Sequence, residues 1–159
     1  IEILLTMPVR EWEVVVGKFL GAFGLYLVIL FFTLVNPIAV SRFGELDVGP
    51  VFTGYLGLVL EGAAMIAIGL FASSIQANQL VAFFVSLFLL AVCCWLIPAA
   101  AAGLETGWVA TALPTISFTH HLESMSRGVI DTRDVLFFLS VTIAGLTLSF
   151  QAIEARRWN

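Results

Sequence analysis

Charge is what this sequence has least of. Asp, Glu, Lys and Arg make up 11% of its 159 residues, hydrophobic residues 60%, and the mean hydropathy is +1.06. A soluble domain carries about 25% charged residues, so this is the composition of an integral membrane protein. The few charges sum to −4, and no basic face gathers them, which excludes nucleic acid as an expected partner. Cysteine is almost as scarce. Cys93 and Cys94 are adjacent and, on a helix, diverge by about 100°, so they form no disulfide framework and read as small apolar packing residues. Catalytic signatures are missing too. Gly17-Lys18 lacks the rest of a phosphate-cradling loop, and neither H-E-x-x-H nor G-x-S-x-G occurs. The chain is therefore expected to be no enzyme, to bind no cofactor or metal and to hydrolyse no ATP by itself. It begins at Ile1 without a signal-peptide pattern, which predicts a piece of a longer protein.

Long apolar runs fill the place of charge. About 20 such residues cross a hydrocarbon core of roughly 30 Å, and residues 19–40, 51–74, 80–102 and 135–153 each qualify. The fold class expected is all-α: a polytopic membrane helix bundle with four spans, probing the lipid bilayer on its outer faces. Asn36-Pro37 should kink or end the first span, and Pro98 falls near the end of the third. Between spans, 41–50 is a polar turn and 75–79, IQANQ, a tight one. Residues 103–134 are predicted to form an external re-entrant or interfacial segment and loop, with Trp108 at headgroup level and Asp131 or Thr132 capping the last span.

Four spans put both ends on one side. Arg10, Lys18, Arg156 and Arg157 at the ends outnumber Arg42, Arg127 and Arg133 in the loops, so the positive-inside rule places both ends in the cytoplasm. Residues 1–18 do not span. After Pro8, which can start a helix, Val9, Trp12, Val15, Val16 and Phe19 form an apolar face, with Arg10, Glu11, Glu13 and Lys18 opposite. Such a segment lies on a membrane surface, docks on a partner protein, or is only the wet lead-in to the first span.

The run GYLGLVLEGAAMIAIGLFASS, Gly54–Ser74, organises the rest. Its acid, Glu61, shares a helical stripe with Gly54, Gly57, Ala64 and Ala72, small residues that let helix backbones approach in a membrane. An acid at mid-span costs about 2.5–3.5 kcal/mol on insertion scales. Glu61 is accordingly either a pathway or relay residue, or a protonated, hydrogen-bonded helix-packing group. In the last loop His120, His121 and Glu123 carry ligand chemistry, but neighbouring histidines diverge and one acid does not close a metal site. Arg127, Asp131, Arg133 and Asp134 read as a solvated, mutually paired loop.

Several blocks then match something specific. IEILLTMPVREWEVVVGKFLGA, GYLGLVLEGAAMIAIGLFASSIQANQLVAF, HHLESMSRGVIDTRDVLFFLS and the closing EARRW resemble, in order and spacing, the membrane subunit of exporter-type ABC transporters, closest to the gliding-motility-associated permeases. The third span and residues 103–117 match least. The resemblance implies a six-helix permease domain of which two helices precede Ile1, a second permease protomer in a homo- or heterodimer, and a separate cytoplasmic ATP-binding subunit that holds ATP and Mg. It implies a bacterial or archaeal plasma membrane. It also implies that Ile1, Glu2, Leu4, Leu5 and Arg10 couple to the ATPase, and that His120, Glu123, Arg127, Asp131 and Arg133 belong to an external loop. Glu61 departs from the family, where an apolar residue is expected. A membrane anchor or scaffold that transports nothing is the alternative from another class, and the scarcity of charge in the spans favours it.

Overall fold

The computed structural model describes residues 11–103 and 108–157. Among them the chain is entirely helical, and four helices are long and apolar enough to cross a membrane. The first span is α1 (Glu11–Thr33) continued by α2 (Val35–Val40); the second is α3 (Val48–Ile75). The third is α4 (Gln79–Ala91), a π-helical turn (Val92–Leu96) and α5 (Ile97–Ala102). Two short helices, α6 (Trp108–Ile116) and α7 (Phe118–Ser126), precede α8 (Thr132–Arg157), the fourth span. Four helices of this length and hydropathy are, by composition, those of a membrane protein. Its outer faces carry Phe31, Phe32, Phe83, Phe84 and Phe88, all exposed, a band that water would not tolerate and lipid does.

Local chemistry sets the ends of these helices. Pro37 does interrupt the first span, but the break falls at Leu34, because the proline ring excludes the carbonyl four residues back, that of Thr33. The Leu34 amide donates instead to Phe31, 3.1 Å away, and the Thr33 hydroxyl to Leu30, 2.7 Å away. Asp47 caps α3 by accepting from Gly49 at 3.1 Å, and Asn78 caps α4 by accepting from Leu80 at 2.9 Å. The α3–α4 turn is thus Gln76–Asn78 alone. Of the two candidates for the last cap, Asp131 takes it, accepting from the Arg133 amide at 2.9 Å. Gly128, at φ 88°, turns the chain out of α7 under the Pro50 ring, a left-handed conformation that a side chain disfavours.

The second span is the hub: α3 packs on α1, α4, α7 and α8, most extensively on α8. The backbones of α3 and α8 come close at Gly145 of α8, where a Cβ would lie 2.9 Å from that of Ala67. Ala64, Phe118, Met125 and Phe138 form the buried core. It lies toward one end of the bundle, here the loop end, where α7 covers the first half of α3. The third span touches α3 near the other, terminal end and α7 at its π turn, and buries the least of itself.

Candidate functional site

Two acids on apolar helices dominate the chemistry. Glu61 lies midway along α3. Antiparallel packing of α7 on α3 sets its neighbours: the Thr53 hydroxyl donates to the Met125 carbonyl at 2.6 Å, and Gly57 meets Leu122 and Met125. At the beginning of α7 the Thr119 hydroxyl donates to the Cys94 carbonyl at 3.0 Å. That carbonyl is in the π turn, a wide helical turn that distorts the regular ladder and recurs at functional sites. Tyr26 comes from α1. Its ring presses on Gly62, where a Cβ would come within 2.2 Å of it, and its hydroxyl donates to the Leu58 carbonyl at 2.7 Å.

Glu61 is half-buried on α3, between Gly57, which meets α7, and Gly62, which meets Tyr26 of α1. Tyr26 has already committed its proton to Leu58, so it cannot donate to the carboxyl. Among the described residues Glu61 makes no hydrogen bond or ion pair. The rest of the small-residue stripe divides. Gly57, Ala64 and Ala72 are buried in helix contacts, whereas a Cβ on Gly54 would meet nothing. Gly54 lines a groove of about 300 Å³ at the loop end, with Pro37, Pro50, Tyr55 and Leu122.

The second acid is Asp134. Sequence reasoning assigned it to a solvated loop; that is corrected here. Asp134 is buried at 6% exposure in the first turn of α8, and its Oδ1 lies 2.7 Å from Nδ1 of His121, itself 8% exposed. Nε2 of His121 lies 3.0 Å from the Thr115 carbonyl, which can only accept, so Nε2 carries a proton. Nδ1 and the carboxyl must then share a further proton, as imidazolium with carboxylate or as imidazole with carboxylic acid. Either way the pair has no net charge, which is what lets it be buried. The imidazole stacks on Phe137, centroids 4.1 Å apart, and Phe118 and Phe138 close the box. With both ring nitrogens engaged, His121 offers neither a base nor a metal ligand.

The remaining residues of the loop stay outside this box. His120 is exposed, its ring at 71° to that of His121. Glu123 and Arg127 pair with each other one helical turn apart on the surface, and Asp131 serves as the cap already described. Among the described residues no group of three metal-ligating side chains occurs. Ile1, Glu2, Leu4, Leu5 and Arg10 lie outside the described residues. What sequence reasoning missed is the inward role of His121, and one signal pointed to it. Phe118, His121 and Met125 recur at helical spacing and are all buried, so the histidine belongs to the apolar face of α7. Its pairing with Asp134 across a turn has no such signal.

No protein-family model, curated protein or solved structure matches the chain.

Proposed function

We propose that the chain is the membrane permease subunit of an ATP-driven transporter of the exporter ABC type. In this reading it is a multi-pass protein of a bacterial or archaeal plasma membrane with both ends cytoplasmic. It pairs with a second permease protomer and couples to a separate ATP-binding subunit. The sequence blocks that resemble that family motivate the reading, and one structural observation supports it. The helix that follows the coupling segment is continuous: α1 runs without a break from Glu11, through Gly17 and the charged face, into the span. A rigid helix carries a push at its foot into the membrane, which a flexible lead-in cannot do. Val15 seats that foot against the bundle at 4% exposure. Beside it a cavity of about 330 Å³, lined by Val14, Lys18, Leu70, Ser74 and Ile153, leaves room for the foot to shift.

The test is release of the ATPase. Burying Ile1, Leu4 and Leu5 in a partner groove is worth roughly 4–9 kcal/mol before association costs. Leu4→Asp with Leu5→Asp should therefore abolish co-purification of the ATP-binding subunit while the chain still fractionates with membranes. Arg10→Ala should do less, because a rim charge acts mainly on encounter rate. Undiminished co-purification of the double mutant would overturn this account of coupling. The scaffold reading keeps one observation on its side: from Val48 to Ala102 the only charged side chain is Glu61.

A further inference from the structure

We propose that the cavity between α1, α3 and α8, at the terminal end of the bundle, seats the phosphate of an anionic membrane lipid, held by Lys18 and Ser73. Such a site needs no ATP-binding subunit and stands apart from the permease reading.

Its depth in the membrane comes first. Lys18 lies two turns into α1, Ser73 in the last turn of α3, and Ser149 and Ile153 near the end of α8, and all four line this cavity. A helix rises about 1.5 Å per residue, so Ser73 lies about 3 Å short of Ile75, where its span ends. That is the level of lipid headgroups, to which a lysine side chain on an apolar helix also reaches.

Charge narrows the occupant. Lys18 is exposed and has no ion pair or hydrogen bond among the described residues, and no Asp or Glu lines the cavity. The hydroxyls divide. Ser74 donates to the Phe71 carbonyl and buried Ser149 to the Gly145 carbonyl, each at 2.7 Å. Ser73, beside Ser74, is exposed and donates to nothing among the described residues. An ammonium and a free hydroxyl both donate, and phosphate oxygens accept. A cation would be repelled here. A zwitterionic lipid brings its own cation, which finds no acid in this cavity to meet.

The walls favour a lipid over a soluble anion. Val14, Leu70 and Ile153 supply aliphatic lining, against which a free phosphate would shed water for one ammonium in return. A phospholipid carries its phosphate on an apolar body already in the bilayer, so its glycerol and first acyl carbons meet these walls. The volume of about 330 Å³ is at the small end for ligand sites. It fits a headgroup, with the chains left outside among the other lipids. Basic pockets between membrane helices recur as sites for such headgroups. A lysine near a helix end needs no ligand when taken alone; an unpaired ammonium, a free hydroxyl and aliphatic walls around one cavity assign the chemistry. A lipid exchanges, so the foot of α1 can still shift into the space beside Val15.

The experiment offers the full-length protein, in dodecyl maltoside, equal amounts of dioleoyl phosphatidylglycerol and dioleoyl phosphatidylcholine. Native mass spectrometry then identifies the first lipid bound. The wild type should prefer phosphatidylglycerol about tenfold, as a hydrogen bond to a charged group allows. Lys18→Gln should lose that preference, Lys18→Arg should keep it, and Ser73→Ala should reduce it about threefold. Arg133→Gln removes one positive charge at the loop end, away from the cavity, and should change nothing. Thermal unfolding in the same detergent checks the fold of each variant and separates lipid from soluble phosphate. Phosphatidylglycerol should raise the wild-type midpoint, whereas inorganic phosphate and glycerol 3-phosphate should act no differently from chloride at equal ionic strength. No preference in the wild type, preference retained by Lys18→Gln, or an equal loss in Arg133→Gln overturns the proposal. So does a midpoint raised by free phosphate and not by the lipid, which would make the cavity a site for a soluble anion.

Discussion

Asp134 and Glu61 are both acids on membrane helices of one small bundle, and the chain treats them oppositely. Around Asp134 three elements converge: α7 brings His121, the end of α6 brings the Thr115 carbonyl, and α8 brings Phe137 and Phe138. The charge is cancelled inside the protein, and the result is a joint that holds α7 on the first turn of α8. Around Glu61, among the described residues, no hydrogen bond or ion pair forms, and the hydroxyl of Tyr26 donates to Leu58 instead. Cancellation within the chain marks a structural acid. An acid with no such partner among the described residues contributes no comparable joint to the fold.

The comparison breaks most sharply at the joint. Asp134→Ala leaves His121 buried with a proton it cannot share, and His121→Ala leaves a buried carboxyl alone. Removing one member of a buried pair costs about 3–5 kcal/mol, so both variants should lower the thermal midpoint in detergent by several degrees. Asp134→Asn is the discriminating variant. Its amide can donate to Nδ1 of a neutral His121 that still donates from Nε2 to Thr115, so it should retain most of the stability. A midpoint for Asp134→Asn as low as that for Asp134→Ala would show that the joint needs a carboxyl and its proton, not a hydrogen bond alone.

A smaller effect is expected where α1 meets α3. Gly62→Ala puts a Cβ within 2.2 Å of the Tyr26 ring. The ring must move, and with it the hydrogen bond to Leu58. Overpacking of this kind costs roughly 1–3 kcal/mol, and fluorescence of Tyr26 in a variant lacking the other aromatic reporters would register the shift. Gly21→Ala on α1 serves as the control, since nothing lies within 4 Å of its Cβ. An unchanged midpoint and spectrum for Gly62→Ala would mean that Tyr26 is not seated against α3 there.

How much of this was legible beforehand follows the range of the forces involved. Four spans, the all-helical class and the organising role of Gly54–Ser74 came from apolar runs longer than a bilayer, a signal carried within each segment. The tight turn at 75–79, the Asp131 cap and the Pro37 break were local too, though the break moved to Leu34 because proline acts on the carbonyl behind it. The His121–Asp134 joint was not legible, since it depends on two helices meeting across the Gly128 turn. Asp134 read as loop because its neighbours Asp131 and Arg133 are indeed solvated or capping. For Glu61 the sequence left open a relay residue or a hydrogen-bonded packing group, and only the structure shows that, among the described residues, it makes no hydrogen bond.

The smallest expected effect is the most informative, and it is the stability of Glu61→Gln. If Glu61 were glue between helices of this chain, its loss would resemble the loss of an interhelical hydrogen bond in a membrane, about 0.6 kcal/mol on average and up to about 1.7. The carboxyl has no such bond here, so the amide replaces an unmatched acid by a neutral group of the same size. The carboxylate form also carries a desolvation cost that the amide lacks. Glu61→Gln should therefore melt at or slightly above the wild-type temperature, in contrast to every substitution at the joint. The measurement is thermal unfolding in one detergent, side by side with Asp134→Asn. A drop for Glu61→Gln comparable to that for Asp134→Ala would place Glu61 in the fold after all, and the distinction drawn between the two acids would be lost.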